Sequence, residues 1–259
     1  MLCIGVIVNA ASVVEVDLVF PRNETYAPTD WFPVVFAFQN AERARYLNPR
    51  VSYTIRSWDS MPANSSVTWS HDLKRENWSS HEPYFAYTHF DNFRNEGRWW
   101  LTWTVSWQSC DEDSFPNILG RGMIDNSSSW SVLFTTEESA QPVDLVAATT
   151  DKACPEELGV AINVTDETMQ VPGWADWNGG DTCAVVASST PMPVPDPCRV
   201  QVNSAVSASM SASLTASMCS GLDPTLSCPE DDKNGSQKVV VVGGSCLLVA
   251  FGAVWFLLM

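Results

Sequence analysis

Residues 98–110 read RWWLTWTVSWQSC, with four tryptophans inside nine residues. The stretch constrains the fold more than any other. In a β-strand alternate side chains point to opposite faces. Trp99, Leu101, Trp103, Val105 and Trp107 then share one face, and Trp100, Thr102, Thr104 and Ser106 share the other. One side is bulky and apolar, and the other is a tryptophan followed by hydroxyls. This is the pattern of a strand with one face on a core and one toward solvent. Each indole buries about 150–250 Å², so the apolar face belongs to the core. Trp100 stands apart on the hydroxyl side. It reads either as a surface ring for stacking on a sugar or as a ring packed beneath a loop or a glycan.

The chain around this stretch is a series of short runs separated by polar, Pro, Asn and Gly breaks. SVVEVDLVF alternates, with Val14, Val16, Leu18 and Phe20 on one side. WFPVVFAF is continuously apolar, as for a strand covered on both faces. RVSYTIRSW alternates through Val51, Tyr53 and Ile55; SSVTWS is short and suits an edge; PYFAYTHF follows; SWSVLFTT comes after a serine loop. Together they predict a mainly β protein, an immunoglobulin-like or fibronectin-like antiparallel β-sandwich, over residues 12–137. The antibody-type cysteine pair is missing, so only the architecture is expected.

Residues 138–200 change character. VDLVAAT, GVAINV and CAVVASS read as strand-like runs among cysteines, turns and a Pro-rich stretch. They suggest a small disulfide-containing extension, either a separate unit or packed on the sandwich. Residues 201–234 are rich in Ser and Ala. They read as an O-glycosylated stalk or as a helix, because Val202, Val206, Met210, Leu214 and Met218 recur every four residues.

The formal charge of -16 argues against a nucleic-acid partner, which needs a basic footprint. Residues 1–11 form a short apolar run closing on small residues, the pattern of a secretory signal peptide. Six N-x-[ST] sequons point the same way, at Asn23, Asn64, Asn77, Asn126, Asn163 and Asn234. In GVAINVTD, Asn163 falls opposite the face of Val160, Ile162 and Val164, where a glycan would project. Of eight cysteines, Cys3 sits in the leader and Cys246 in the apolar tail. The even remainder, Cys110, Cys154, Cys183, Cys198, Cys219 and Cys228, implies disulfides in a secreted chain. By spacing, Cys154–Cys183 and either Cys198–Cys219 or Cys219–Cys228 are the local candidates, which leaves Cys110 for a longer-range bond. Residues 239–259 would span roughly 30 Å as a helix. Within residues 235–259 they read as a GPI-attachment signal, with Asn234 or Ser220 as the anchor residue, or as a retained membrane span.

The RWWLTWTVSWQSC strand, GVAINVTDE, DTCAVVASS and the PDPCRV to ASLTASMC segment together resemble an uncharacterised family of secreted fungal proteins known only as a domain of unknown function. The resemblance covers most of the chain between leader and tail. It implies an extracellular or cell-surface protein, often with a C-terminal anchor, and carries no activity or catalytic residue.

No nucleophile elbow or zinc-protease motif is present. His71, His81 and His89 are widely spaced, so ordinary loop or strand roles are expected over a metal. No cofactor or catalytic residue is assigned. The acids Asp111, Glu112, Asp113, Glu137, Glu138, Glu156, Glu157, Asp166 and Glu167 read as solvated charge. A glycosidase pair cannot be selected from them by sequence. Trp174 and Trp177, in the loop VPGWADWNGGD, join Trp100 as candidate sugar-stacking residues. The same loop clusters oxygen ligands, but not at EF-hand spacing. The leading expectation is a non-enzymatic cell-surface glycoprotein, structural or adhesive at the cell wall. The alternatives are a carbohydrate-binding module and a carbohydrate-active enzyme on wall polysaccharide.

Overall fold

A computed structural model of the chain describes residues 13–59, 66–74, 76–78, 81–91, 93–110, 123–150, 155–171, 182–186 and 193–219. They divide into two units, with the boundary between Asn203 and Ser204. The first unit is mainly β, as the alternating runs predict.

Its strands are β1 (Val13–Phe20), β2 (Thr25–Tyr26), β3 (Phe32–Gln39), β4 (Arg50–Ser57), β5 (Ser66–Asp72), β6 (Tyr84–Phe90), β7 (Gly97–Cys110), β8 (Met123–Thr136), β9 (Gly159–Gln170) and β10 (Thr182–Val186). Among the described residues they form one ten-stranded sheet with two limbs. One limb runs β9-β1-β3-β6 and the other β5-β4-β7-β8-β2. β10 joins them, antiparallel to β9 and meeting β7 in parallel at Val185 and Cys110. The sheet is therefore mixed where purely antiparallel pairing was expected, since β2 also lies parallel to β8.

Aromatic rings fill the space between the limbs. Phe36 of β3 lies 5.4 Å from Tyr53 of β4 and 5.6 Å from Trp103 of β7. Phe32 stacks on Phe134 of β8 at 5.0 Å. None of these pairs is hydrogen-bonded strand to strand, so the limbs meet face to face through side chains. The apolar face of β7 behaves as its pattern demands. Leu101, Trp103 and Val105 are fully buried. The continuous run of β3 is buried at every residue, because β3 lies between β1 and β6 and both its faces are covered. β5 pairs only with β4 and is an edge, as its length and polarity predict.

The segment between β1 and β2 is held by Tyr26. Its hydroxyl accepts from the Arg22 backbone N–H at 3.0 Å and donates to the Arg22 carbonyl at 3.4 Å. On the other side of Asn23, the Glu24 carbonyl accepts from the Thr135 N–H at 3.0 Å. The turn is thus pinned on both sides of an exposed Asn23. Tyr26 is 5% exposed, so Tyr26→Phe leaves a buried N–H unpaired. We expect it to cost about 1–2 kcal/mol in urea denaturation.

Residues 145–149, read from sequence within a strand-like run, are instead a short helix α1 (Leu145–Thr149). The Asp144 carboxylate accepts from the Val146 and Ala147 N–H groups at 2.9 and 3.1 Å, an N-cap that outweighs the local alternation.

The expected Cys154–Cys183 bond is overturned, because Cys183 pairs with Cys110. Their Cα atoms are 5.8 Å apart, in the usual range for a disulfide. The physical reason is β10, which lies beside the end of β7 and delivers Cys183 to Cys110 across 73 residues. Cys198 and Cys219 are each disulfide-bonded as well. Cys154 and Cys228 lie outside the described residues.

In the second unit, the Ser/Ala-rich stretch is a helix, α2 (Ser204–Cys219). Met210 is its buried residue, and Val206, Leu214 and Met218 on the same stripe are half-buried. Ser211 and Thr215 donate their hydroxyls to carbonyls four residues back, at 3.0 Å each, which lets them sit in a helix without competing for it. Among the described residues no helix is long and apolar enough to cross a membrane. Residues 1–11, expected as a leader, residues 235–259 and the anchor candidates Ser220 and Asn234 lie outside the described residues.

Candidate functional site

The outward side of the β5-β4-β7-β8 limb is the surface that most resembles a site. Register fixes its rows. Thr68, Thr54, Thr102 and Ser131 form one row across the four strands, and Ser70, Ser52, Thr104 and Ser129 form the next. Neighbours in a row are about 4.8 Å apart, and rows about 6.7 Å apart, by strand geometry. The hydroxyls also bond to one another, at 3.1 Å for Thr54 and Thr68, 3.0 Å for Thr102 and Ser131, and 2.8 Å for Thr104 and Ser129. The result is a pair of uncharged, hydroxyl-covered rows, flanked on one side by the row Ser66, Arg56, Trp100 and Leu133 and on the other by Asp72, Arg50, Ser106 and Ser127.

At one end of this face Trp100 stacks on Trp58, with ring centroids 5.2 Å apart and planes 2° from parallel. Both rings remain open to solvent, Trp58 at 40% and Trp100 at 37%. Trp58 is held there by its backbone N–H on the Arg98 carbonyl at 2.8 Å, beside the Arg98–Asp59 ion pair, and the exposed Arg56 lies opposite Trp100 in the register. On its far side Trp100 borders a cleft of about 410 Å³, which Leu133 and Ser131 of β8, Arg22, Asn23 and Glu24 of the β1–β2 turn, and Pro155 and Glu157 also line. At the opposite end of the face a second cleft of about 400 Å³ lies among Arg50, Lys74, Gln108, Asp125 and Asn126. Arg50 pairs with Asp72 at 3.6 Å, and Gln108 donates to Asp125 at 2.8 Å.

Of the residues singled out from sequence, Trp100 is on the exposed face and the same-face indoles Trp99, Trp103 and Trp107 are not. Trp174 and Trp177 lie outside the described residues, as do Asp111, Glu112 and Asp113. Sequence reasoning missed Trp58, which follows the last residue of β4, and missed the serines 127–129. Their composition suits a loop, yet they belong to β8, and Ser129 completes the second hydroxyl row. The signal was present: Ser129 and Ser131 alternate with Trp130 and Val132 at period two.

The sequons differ in setting. Asn23 and Asn77 are exposed, whereas Asn126 and Asn163 are half-buried within strands. The Asn126 amide donates to the Ser109 hydroxyl at 3.2 Å and to the Ile124 carbonyl at 3.3 Å. Asn64 and Asn234 lie outside the described residues. His71 is half-buried against Tyr53, 3.3 Å from the Thr88 hydroxyl, and burial lowers the pKa of both His71 and His89. Among the described residues no group of three or more His, Cys, Asp or Glu is placed to hold a metal.

A second cluster was not anticipated. Glu15 and Asp17, on the face of β1 turned away from the aromatic core, are buried at 4% and 0% exposure. Gln39 donates to Asp17 Oδ2 at 2.7 Å and accepts from Arg199, and Glu15 Oε1 accepts from the Asp196 N–H at 2.5 Å. Burial, and then repulsion from Glu15, push the Asp17 carboxyl well above the usual carboxylate range. Burial raises Glu15 as well. Gly159 lies opposite Asp17 in β9; a Cβ there would meet Pro195 at 2.6 Å and Asp17 at 3.0 Å. The acids are covered by the chain's own segments.

Residues 9–228 match the family described as domain of unknown function DUF7136. The match covers most of the chain, and the chain belongs to that family. No curated protein and no solved structure matches it.

Proposed function

We propose that this DUF7136 member is a non-enzymatic cell-surface glycoprotein that docks on neutral wall polysaccharide through the outer plane of β5-β4-β7-β8. The observation that carries the reading is the part-exposed, parallel-stacked Trp58–Trp100 pair at the end of two rows of paired hydroxyls. Indole faces pack on the C–H faces of sugar rings, and Ser and Thr hydroxyls both donate and accept toward sugar hydroxyls. Hydroxyl rows without charge favour an uncharged polymer, and the chain's overall charge of -16 disfavours a polyanion such as nucleic acid. Each such contact is weak, so the polymer supplies affinity by engaging several rows at once. The sequons and the cysteine usage support a secreted molecule, the resemblance a fungal surface protein, and the apolar run of residues 239–259 a tether through a GPI group or a C-terminal span.

The test is retention of the full chain, made in a eukaryotic secretory host, on insoluble chitin, β-glucan and cellulose. Wild type should be retained on at least one polymer. Trp58→Ala and Trp100→Ala should each weaken binding about three- to tenfold, as expected for loss of one aromatic contact. Both rings are substantially exposed, so the thermal unfolding temperature should hardly move. Absence of retention on every polymer overturns the reading. Release of soluble sugar from the polymer would instead assign an enzyme, with Glu24 and Glu157 in the Trp100 cleft as the acids to replace first.

A further inference from the structure

We propose that Asn23 carries an N-linked glycan whose first sugars lie in the cleft against Trp100 and Leu133, so that the ligand of this cleft is the chain's own carbohydrate. It rests on the reading above in requiring passage through the secretory pathway, and it assigns the cleft side of Trp100 to the glycan, leaving Trp58 and the hydroxyl rows to the polymer.

Three observations converge. Asn23 heads the sequon Asn23-Glu24-Thr25 and is exposed. It lines the same cleft as Trp100, Leu133 and Pro155. The turn that presents it is pinned by the Tyr26 hydroxyl on Arg22 and by the Glu24 carbonyl on Thr135, so the root of the glycan has a fixed position and direction. The cleft volume of about 410 Å³ is in the range of small-ligand sites. Its lining is two-sided in the way a sugar requires. Trp100 and Leu133 are exposed apolar surface at 37% and 41%, and Glu24 and Glu157 add carboxylate acceptors for hydroxyls. Tethering replaces a bimolecular encounter by a local one, so even a weak sugar–indole contact is populated.

The covalent step is the ordinary one for a sequon. An oligosaccharide on a polyprenyl diphosphate is the donor. The Asn23 Nδ2–C1 bond forms and the C1–O bond to the diphosphate breaks. The diphosphate leaves with the electron pair, and the amide nitrogen loses one proton. Transfer needs only the extended sequon and precedes closure of the cleft.

Asn77 is an internal control, since it is also exposed and does not line this cleft. The experiment uses the full chain from a eukaryotic secretory host. Site occupancy is read by glycopeptide mass spectrometry, and native glycan release by an endoglycosidase is timed separately at Asn23 and Asn77. The expected result is an occupied Asn23 released about five- to tenfold more slowly than Asn77. Trp100→Ala or Leu133→Ser should bring the Asn23 rate up to that of Asn77. An unoccupied Asn23, equal release rates in the wild type, or protection that survives both substitutions would overturn the proposal. Both side chains are surface-exposed, and a thermal melt of each variant checks that the fold is intact. The assay contains no polysaccharide, so its failure is separate from a failed retention experiment.

Discussion

Replacing Cys110 and Cys183 together by Ala is expected to lower the unfolding free energy by about 4 kcal/mol. The bond closes a loop across 73 residues, and loop-closure entropy at that length gives a stabilisation of about that size. Its position makes the loss specific. β10 is the strand that joins the two limbs, and its contact with β7 in the ladder is a single parallel bridge, Val185 with Cys110. The disulfide fastens the same corner covalently, and both cysteines are buried. Without it, β10 keeps its antiparallel ladder with β9 but holds β7 by little. Urea denaturation should therefore show a lower midpoint. Hydrogen exchange should quicken most at the Cys110 end of β7 and in β10, ahead of the β3 core. A double variant within about 1 kcal/mol of wild type would mean that the face-to-face aromatic contacts alone hold the limbs together.

The register of the tryptophans in β7 was legible because a strand has a strict period of two and one of its faces had to be apolar. The same logic placed Trp100 outward, and β3 inside the sheet with both faces covered. What the alternation left open was the partner of each strand. The hydroxyl plane exists because Thr54 of β4, Thr102 of β7 and Ser131 of β8 fall in one row, and that depends on pairings between residues far apart in sequence. Serines 127–129 carry loop composition and the β-strand register at once, and the neighbouring strand decides between them. Cysteine pairing failed for a related reason. Nearness in sequence favoured Cys154 for Cys183, while the sheet brought Cys110 to it. Asp144 turned a strand-like run into a helix through a cap that a purely hydrophobic pattern does not weigh.

The acids of β1 show where alternation misleads. Glu15 and Asp17 occupy the positions of a solvent face, opposite Val14, Val16 and Leu18, yet they are covered. The cover comes from residues 195–199, more than 170 positions away, through the Asp196 N–H on Glu15 and through Arg199 on Gln39. No local signal announces it. Gly159 is the one hint, since a side chain there would collide with Pro195.

This buried pair sets a pH dependence. The groups that face Asp17 are Glu15 on its own strand, Gln39 of β3, and Asp196 and Arg199 of the covering segment, with Arg22 interacting from beyond the end of β1. Glu15, Asp17 and Asp196 against Arg199 and Arg22 leave an excess negative charge around a dry site, so the pair holds its proton to higher pH in the folded chain than in the unfolded one. The folded pKa values lie above the unfolded ones, near 4, so the folded state binds more protons than the unfolded state as pH rises past that point. This stabilisation is complete below about pH 4 and is lost progressively as pH climbs through the raised values. One proton corresponds to a slope of at most about 1.4 kcal/mol per pH unit. Asp17→Asn isolates the effect. Its amide oxygen can accept from Gln39 and its NH₂ can donate to Glu15, as the protonated acid does. The variant should match wild type near pH 4, exceed it at pH 8, and lose most of the slope between them. Asp17→Ala should be destabilised at every pH, because Gln39 then loses its acceptor in a buried site. Urea denaturation at unit pH steps from 4 to 8 reads all three proteins. A wild-type slope that persists in Asp17→Asn would place the retained proton elsewhere in the chain.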